Sequence, residues 1–305
     1  MRARRLRALC ALVLVASVGY LAADLLGAPS TGGGRPGVLG ATAQLGPTGT
    51  YAAGSCIELQ PTAGDRHTTV FLDAGHGGPD PGSTGTAPSG KVVYEKQFTL
   101  PVEMEAASML QGDGYTVVVS RTTGGPVAAL GPADLNGAIL TSTGEHVETA
   151  ARVRCANEAH AAVLVSIHFN AFSDPTAGGA LTTYDPARPF AAANRRLALL
   201  LQRDVLGSLA RAGWHVESRG VVTDTSVGAP ALTTAAASYG HLFVLGPYLA
   251  GFNDDPSQMP GALVEPLFIT DPAETAIVQS AAGRHAIASG IASGVERFLA
   301  TSRAA

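Results

Sequence analysis

Lysine is scarce in this sequence. The 305-residue chain contains two lysines, Lys91 and Lys96, against 18 arginines, and charged residues make up only 14% of it. Its formal net charge is −4, and the part that follows residue 28 holds 16 basic and 23 acidic residues. An acidic chain without a basic stripe lacks the charge through which proteins bind phosphate backbones. The composition therefore argues against a nucleic-acid-binding function.

A phosphate-binding loop and internal repeats are also missing from the sequence. The glycine-rich segment at Gly75, Gly77 and Gly78 is not followed by Gly-Lys-Ser/Thr, so it does not match a phosphate-binding loop. These glycines are instead expected to let the backbone turn tightly. The chain also shows no internal repeat.

The amino-terminal residues have the pattern of an export signal. Four arginines within residues 2–7 precede sixteen uncharged residues, Ala8 to Ala23, and then Asp24. This order predicts a cleaved signal peptide over residues 1–28. An uncleaved N-terminal membrane anchor is the alternative, because the apolar run is nearly long enough to span a bilayer. In both cases the remainder of the protein is expected outside the cytoplasmic membrane.

The three cysteines agree with export. Cys10 lies at the start of the apolar run, whereas a lipid-attachment cysteine would follow it, so the chain does not read as a lipoprotein. Cys56 and Cys155 belong to the exported part, where an oxidising compartment permits a disulfide. A bond between them is a hypothesis at this point, because the sequence does not show that they meet.

The remainder divides into a Gly/Pro/Thr-rich linker over residues 29–65 and one domain over residues 66–305. Strands and helices alternate through the domain, which predicts a single α/β domain with a mostly parallel or mixed twisted sheet flanked by helices on both faces. The strand candidates are 68–73, 115–120, 162–167, 179–184, 241–245 and 261–265. The helix candidates are 101–111, 146–160, 188–212 and 272–300, the last broken near Gly283.

Three side chains form a candidate metal site. His76 follows the apolar strand 68–73, His168 follows the strand 162–167, and Glu95 precedes the helix 101–111. Strand ends are where α/β proteins collect functional residues. Zinc accepts imidazole nitrogen and carboxylate oxygen, and a catalytic zinc commonly has three protein ligands and a water whose pKa it lowers. Glu265, at the end of strand 261–265, is the candidate general base for that water.

The order of these motifs resembles a known family. Asp73-x-Gly-His-Gly-Gly78, Glu95-Lys96, Ser166-Ile-His-Phe-Asn-Ala171 and Val264-Glu265 look like the zinc-dependent N-acetylmuramoyl-L-alanine amidases of the amidase-3 type. The resemblance covers about residues 68–300 and includes Arg219-Gly-Val221. It implies Zn²⁺ held by His76, Glu95 and His168, with Glu265 as the catalytic carboxylate.

The resemblance also implies a reaction. The expected activity is hydrolysis of the amide bond between N-acetylmuramic acid and L-alanine in peptidoglycan or muropeptides, by a monomeric bacterial protein that is secreted, periplasmic or cell-wall associated. Since no separate wall-binding module is visible, small soluble fragments are the favoured substrate.

Two departures from the family pattern keep other functions open. Glu265-Pro-Leu-Phe268 stands where the family commonly has E-x-G-F, and residues 223–240 read as an insertion. The first departure motivates a non-catalytic peptidoglycan-binding or regulatory protein as an alternative. A zinc peptidase acting on stem peptides is a second alternative.

Other polar residues have weaker functional readings. Asp73 is expected to orient the loop or a ligand, or to cap the glycine-rich turn. Asn170 and Arg219 are candidates for contacting substrate or holding a loop. The remaining histidines are read as ordinary: His67, His146, His160, His215, His241 and His285.

Overall fold

The computed structural model describes residues 42–227 and 234–302. The predicted leader, residues 1–28, therefore lies outside the described residues. The strands are β1 (Thr42–Gln44), β2 (Ser55–Leu59), β3 (Thr69–Ala74), β4 (Thr84–Thr86), β5 (Val92–Tyr94), β6 (Thr116–Arg121), β7 (Leu135–Asn136), β8 (Ile139–Leu140), β9 (Val163–Ile167), β10 (Ala180–Tyr184), β11 (Ser218–Thr223) and β12 (Gly261–Glu265). The helices are α1 (Lys96–Gly112), α2 (Ser142–Glu158), α3 (Ala191–Arg211), α4 (Asp224–Val227), α5 (Thr234–Tyr239), α6 (Pro272–Gln279) and α7 (Ala281–Ser302).

Eight strands form one mixed sheet in the order β1-β2-β6-β3-β9-β12-β10-β11. The central strands β6, β3, β9 and β12 are parallel to one another. β10 runs antiparallel to β12, and β11 is parallel to β10. The carboxyl ends of β3, β9 and β12 therefore lie at one edge of the sheet, whereas β10 and β11 end at the opposite edge. The predicted fold class is confirmed.

The central strands are apolar because both faces of the sheet are covered. On one face, Leu110 of α1, Leu201 of α3 and Ile291 of α7 belong to the main buried cluster. On the other face, Ala156 of α2 packs in a second cluster with Phe71 of β3. Helices thus flank both faces, as the alternation of elements predicts. Within the described ranges, no helix is long and apolar enough to cross a bilayer.

The linker prediction over residues 29–65 is wrong for its second half. β1 and β2 lie there, and β2 joins the sheet by pairing antiparallel to β6. The hypothesised disulfide is confirmed, since Cys56 in β2 is bonded to Cys155 in α2 with a Cα–Cα distance of 5.7 Å. Short strands among many glycines and prolines resemble a linker in sequence, and only pairing with β6 and burial against α2 fix them.

The strand prediction over 241–245 is also wrong. This segment forms a turn, in which the N–H groups of Leu245 and Gly246 both donate to the carbonyl oxygen of Leu242. Val244 and Leu245 are nonetheless buried in the second cluster. A short apolar run has the same periodicity whether it is a buried strand or a buried turn, so its burial does not determine its conformation.

Smaller differences concern element ends. α1 begins at Lys96, so Pro101 lies inside the helix rather than at its start. The break expected near Gly283 occurs at Ser280, between α6 and α7. β11 contains the Arg219-Gly-Val221 segment and was not predicted as a strand. In the segment read as an insertion, residues 223–240, the structure describes α4 and α5, and residues 228–233 lie outside the described residues.

Candidate metal centre

His76 lies two residues beyond β3 in a backbone conformation that fixes its position. Its φ is +62°, in the left-handed region that non-glycine residues seldom adopt. Its carbonyl oxygen accepts hydrogen bonds from Arg121 Nε at 2.9 Å and Arg152 Nη2 at 2.8 Å. Gly75 precedes it, and a Cβ there would lie 2.3 Å from the ring of His168. The glycine is therefore required for the two imidazoles to approach each other.

Glu95 is buried immediately before α1. Its Oε2 accepts the backbone N–H of Ser83 at 2.9 Å, and its Oε1 accepts that of Phe169 at 2.8 Å. These bonds come from the loop after β3 and from the segment after β9. Protein hydrogen bonds alone thus hold the Glu95 carboxylate between the two loops that carry His76 and His168.

The structure brings the three predicted ligands together. Nε2 of His76 lies 3.1 Å from Oε2 of Glu95, Nδ1 of His168 lies 3.0 Å from Oε1 of Glu95, and the two ring nitrogens are 3.1 Å apart. His168 follows β9 directly, and its N–H donates to the carbonyl oxygen of Val264 in β12. Three side chains with donor atoms of the kinds that zinc accepts therefore lie together at this edge of the sheet.

The spacing and charge of this group suit a divalent cation. Ligand atoms about 2.0–2.1 Å from a tetrahedral ion are about 3.3 Å from one another, close to the distances between these three side chains. Burial opposes ionisation of Glu95, but His76 and His168 outweigh it and hold its pKa well below the usual range. Glu95 is therefore a carboxylate, the form in which it can bind a metal. The role of the three residues as ligands stays a prediction.

Asp80 is a residue of this site that the sequence reasoning missed. Its Oδ2 lies 2.7 Å from Nδ1 of His76, and its Oδ1 accepts the N–H of Gly82 at 2.9 Å. Although burial opposes it, the His76 imidazole lowers the pKa of Asp80 to about 2. A carboxylate on the second nitrogen of a metal-binding histidine fixes the ring's tautomer and orientation. Its position four residues after His76, within a tight glycine-rich turn, is the signal that could have revealed it.

Glu265 ends β12 beside this group. Its Oε2 accepts a hydrogen bond from Nδ2 of Asn170 at 2.8 Å. Burial and the negative charge of Glu95 raise the pKa of Glu265 to about 8, partly offset by His76. Asn170, considered for substrate contact or for holding a loop, thus orients the candidate base. The pKa of Glu265 lies in the range suited to a group that exchanges protons near neutral pH.

The segment that carries the Pro266-Leu267 departure is held by several contacts. Leu267 is fully buried, and its carbonyl oxygen accepts the N–H of Asn170 at 2.9 Å. The N–H of Phe268 donates to Oε2 of Glu274, which also anchors Gly179 through its Oε1. The segment after β12 is therefore held by its own contacts.

Asp73 supports the candidate metal centre indirectly, through Arg152. Its Oδ1 accepts from Arg152 Nη1 at 2.5 Å and its Oδ2 from Ser166 Oγ at 2.7 Å. Burial alone would raise its pKa, but Arg152 and Ser166 lower it below the ordinary value. Asp73 therefore holds Arg152, which in turn holds the carbonyl of His76. The expectation that it orients the loop fits these contacts, whereas capping of the glycine-rich turn does not.

Arg219 holds a loop in the structure. Its Nε donates to the carbonyl oxygen of Gly178 at 2.6 Å, and its guanidinium lies 4.7 Å from the centre of the Phe268 ring. Both contacts are structural, and they account for the side chain without a substrate.

Comparison with known proteins identifies the family. Residues 70–297 match the Amidase_3 family model, described as N-acetylmuramoyl-L-alanine amidase. The chain belongs to this family. The resemblance recognised in the sequence is thereby confirmed, and the Amidase_3 match includes every residue of the candidate metal centre.

Individual amidases give the same result. The chain is 27% identical over 251 residues to N-acetylmuramoyl-L-alanine amidase AmiC of Neisseria meningitidis, covering 78% of this chain and 54% of that protein. It is 27% identical to the germination-specific N-acetylmuramoyl-L-alanine amidase of Bacillus subtilis, covering 75% of this chain and 79% of that protein. A crystal structure of N-acetylmuramoyl-L-alanine amidase from Clostridium difficile 630 superposes with a TM-score of 0.53 at 26% identity, covering 77% of this chain and 97% of that one. This Amidase_3 chain therefore spans about half the length of its neisserial relative and most of the length of the other two.

Proposed function

We propose that this chain is a zinc-dependent hydrolase that cleaves the amide bond between N-acetylmuramic acid and L-alanine in peptidoglycan or muropeptides. The observation that carries the proposal is the convergence of His76, Glu95 and His168 beside the buried carboxyl group of Glu265. Membership of the amidase family supports peptidoglycan amide hydrolysis. The donor set, two imidazoles and one carboxylate, supports zinc as the metal.

His76, Glu95 and His168 would hold the ion. When bound, zinc supplies Lewis acidity, which polarises a carbonyl and lowers the pKa of water toward about 7. The backbone N–H groups of Ser83 and Phe169 keep the Glu95 carboxylate aimed at the site, and Asp80 keeps Nε2 of His76 aimed at it. The chain thus preorganises the ligand geometry rather than forming it on binding.

Glu265 carries the proton transfers in this proposal. Its Oε2 is engaged by Asn170, and Oε1 accepts no hydrogen bond from the residues that the structure describes. Oε1 can therefore accept a proton from the attacking water and later pass it to the leaving amine of L-alanine. A cation that offsets the charge of Glu95 would lower the pKa of Glu265 from about 8, so that it ionises at neutral pH.

The compartment is part of the proposal. The leader over residues 1–28 supports export as a secreted, periplasmic or cell-wall-associated monomer, with attachment through an uncleaved leader as the alternative. The Cys56–Cys155 disulfide supports an oxidising compartment, where such bonds persist.

The deciding experiment is a mass spectrum of muropeptide products formed by the purified protein, with and without a zinc chelator. Release of intact peptide beginning with L-alanine, lost on chelation and restored by zinc, is the expected result. Cleavage within the stem peptide would instead identify a peptidase. No cleavage of either muropeptide or polymer, with zinc bound, would identify a non-catalytic binding protein.

A further inference from the structure

A second histidine–carboxylate group lies at the opposite edge of the sheet. Asp185 follows β10, Asp224 follows β11 as the first residue of α4, and His241 lies two residues after α5. Nδ1 of His241 is 2.8 Å from Oδ2 of Asp185 and 3.2 Å from Oδ2 of Asp224. All three donor atoms lie within 4.8 Å of one another. His241, read from the sequence as an ordinary histidine, thus lies between two buried carboxylates.

One carboxylate oxygen of this group has no hydrogen-bond partner in the part of the chain that the structure describes. Asp185 and Asp224 are both fully buried, and Oδ2 of Asp185 accepts no hydrogen bond from residues 42–227 or 234–302, although it is aimed at the ring of His241. Nδ1 carries at most one proton, and its hydrogen bond is made with Oδ2 of Asp224. A buried, unpaired carboxylate oxygen costs free energy unless a cation or a donor reaches it.

The guanidinium of Arg188 does not supply that donor. Nη1 and Nη2 of Arg188 donate to the carbonyl oxygens of Gly246 and Ser257. Among the described residues, Oδ2 of Asp185 is therefore left without a donor, and a cation between the two carboxylates would compensate it.

We propose that Asp185, Asp224 and His241 form a second metal site, separate from the candidate catalytic centre, that binds a divalent ion of the zinc class. One imidazole nitrogen and two carboxylate oxygens suit zinc, and the spacings from Nδ1 match ligand atoms around one ion. The ion would join the ends of β10 and β11 to the segment after α5. Its role is structural, since it fixes both ends of residues 225–240 to the sheet edge.

Zinc titration of the metal-free full chain tests the site without any substitution. The expected result is two equivalents of tightly bound zinc, measured by elemental analysis after gel filtration. His168→Ala should reduce this to one equivalent, and adding His241→Ala should remove the second. Zinc should also raise the Tm of His168→Ala but not that of His168→Ala combined with Asp185→Asn.

A matched control is His285→Ala, whose side chain is 70% exposed and which should keep both equivalents. One equivalent in the wild-type chain together with none in His168→Ala would overturn the proposal. Two equivalents retained in both His241→Ala and Asp185→Asn would also overturn it, because the second ion would then lie elsewhere. Circular dichroism of each variant separates loss of metal from loss of fold.

Discussion

Oδ2 of Asp80 lies 2.7 Å from Nδ1 of His76, on the opposite side of the imidazole from Glu95. The contact leaves Nε2 as the nitrogen directed toward the ligand group. Because such a carboxylate raises the basicity of a ligating histidine, we expect Asp80→Asn to weaken zinc binding by about 10–100-fold. Competition with a chromogenic chelator measures the affinity. The exposed Asp174, whose carboxylate accepts hydrogen bonds from Thr176, provides the control Asp174→Asn. Equal affinities in the two variants would contradict the role assigned to Asp80.

Glu265→Gln separates catalysis from metal binding. The amide keeps the size of the side chain but cannot accept a proton as the carboxylate does, so turnover should fall by about 10²–10⁴-fold. Zinc content should be unchanged, since Glu265 is not one of the three predicted ligands. Product release from muropeptides and elemental analysis of the same sample measure both quantities. A variant that keeps full turnover would remove Glu265 from the mechanism.

The burial of Glu103 leads us to expect that the stability of the fold depends on pH. Its Oε1 accepts the N–H groups of Ala74 at 2.9 Å and Ser120 at 3.0 Å, while Oε2 is buried and accepts no hydrogen bond from any described residue. Burial raises the pKa of Glu103 to about 8, from an ordinary value of 4.5. The folded state therefore holds a proton that the unfolded chain releases. This contribution to stability is fully present below about pH 4.5 and is lost as the pH rises to about 8.

We expect Glu103→Gln to abolish this dependence, because glutamine is an uncharged isostere of the protonated acid. The variant and the wild type should have similar Tm values at pH 4.5, and the variant should be the more stable above pH 8. Thermal unfolding across this range measures the difference. Glu105→Gln, at a partly exposed position of the same helix, should leave the profile unchanged. If the Tm values of Glu103→Gln and wild type differed by the same amount at every pH, the raised pKa of Glu103 would be refuted.

The Cys56–Cys155 disulfide predicts a large stability effect. The two cysteines are 99 residues apart in sequence, and closing a long loop restricts the unfolded chain strongly. Replacing both with serine should cost about 2–5 kcal/mol of unfolding free energy. Denaturant unfolding of the double variant measures the loss, and wild type under reducing conditions should show a similar one. A loss below about 0.5 kcal/mol in both samples would contradict this estimate, since that is the size of an ordinary surface substitution.

The sequence allowed three residues of the candidate site to be grouped because each of them lies at the end of a strongly apolar strand. β3, β9 and β12 are parallel and buried, so the chain positions just after them necessarily meet at one edge. His76, His168 and Glu265 could therefore be grouped from strand ends alone. Glu95 depended on the spacing of motifs, since its place before α1 is set by tertiary hydrogen bonds to Ser83 and Phe169.

What the sequence could not predict depends on long-range pairing. β2 contains only five residues in a glycine-rich region, and its antiparallel pairing with β6 is not encoded by its own pattern. The buried turn at 241–245 has the composition of a strand. His241 was read as ordinary because its carboxylate neighbours, Asp185 and Asp224, come from distant elements that only the β10–β11 pairing brings together.

The disulfide also determines how the domain would bear mechanical load. A pull on the chain preceding Thr42 enters through β1, whose three residues pair with β2. Cys56 lies in β2, so the force passes through the covalent bond to α2 instead of peeling β2 from β6. α2 carries Arg152, which holds the carbonyl of His76. We therefore expect tension on the amino terminus to reach the helix that supports the His76 loop, while only the chain before Cys56 can detach.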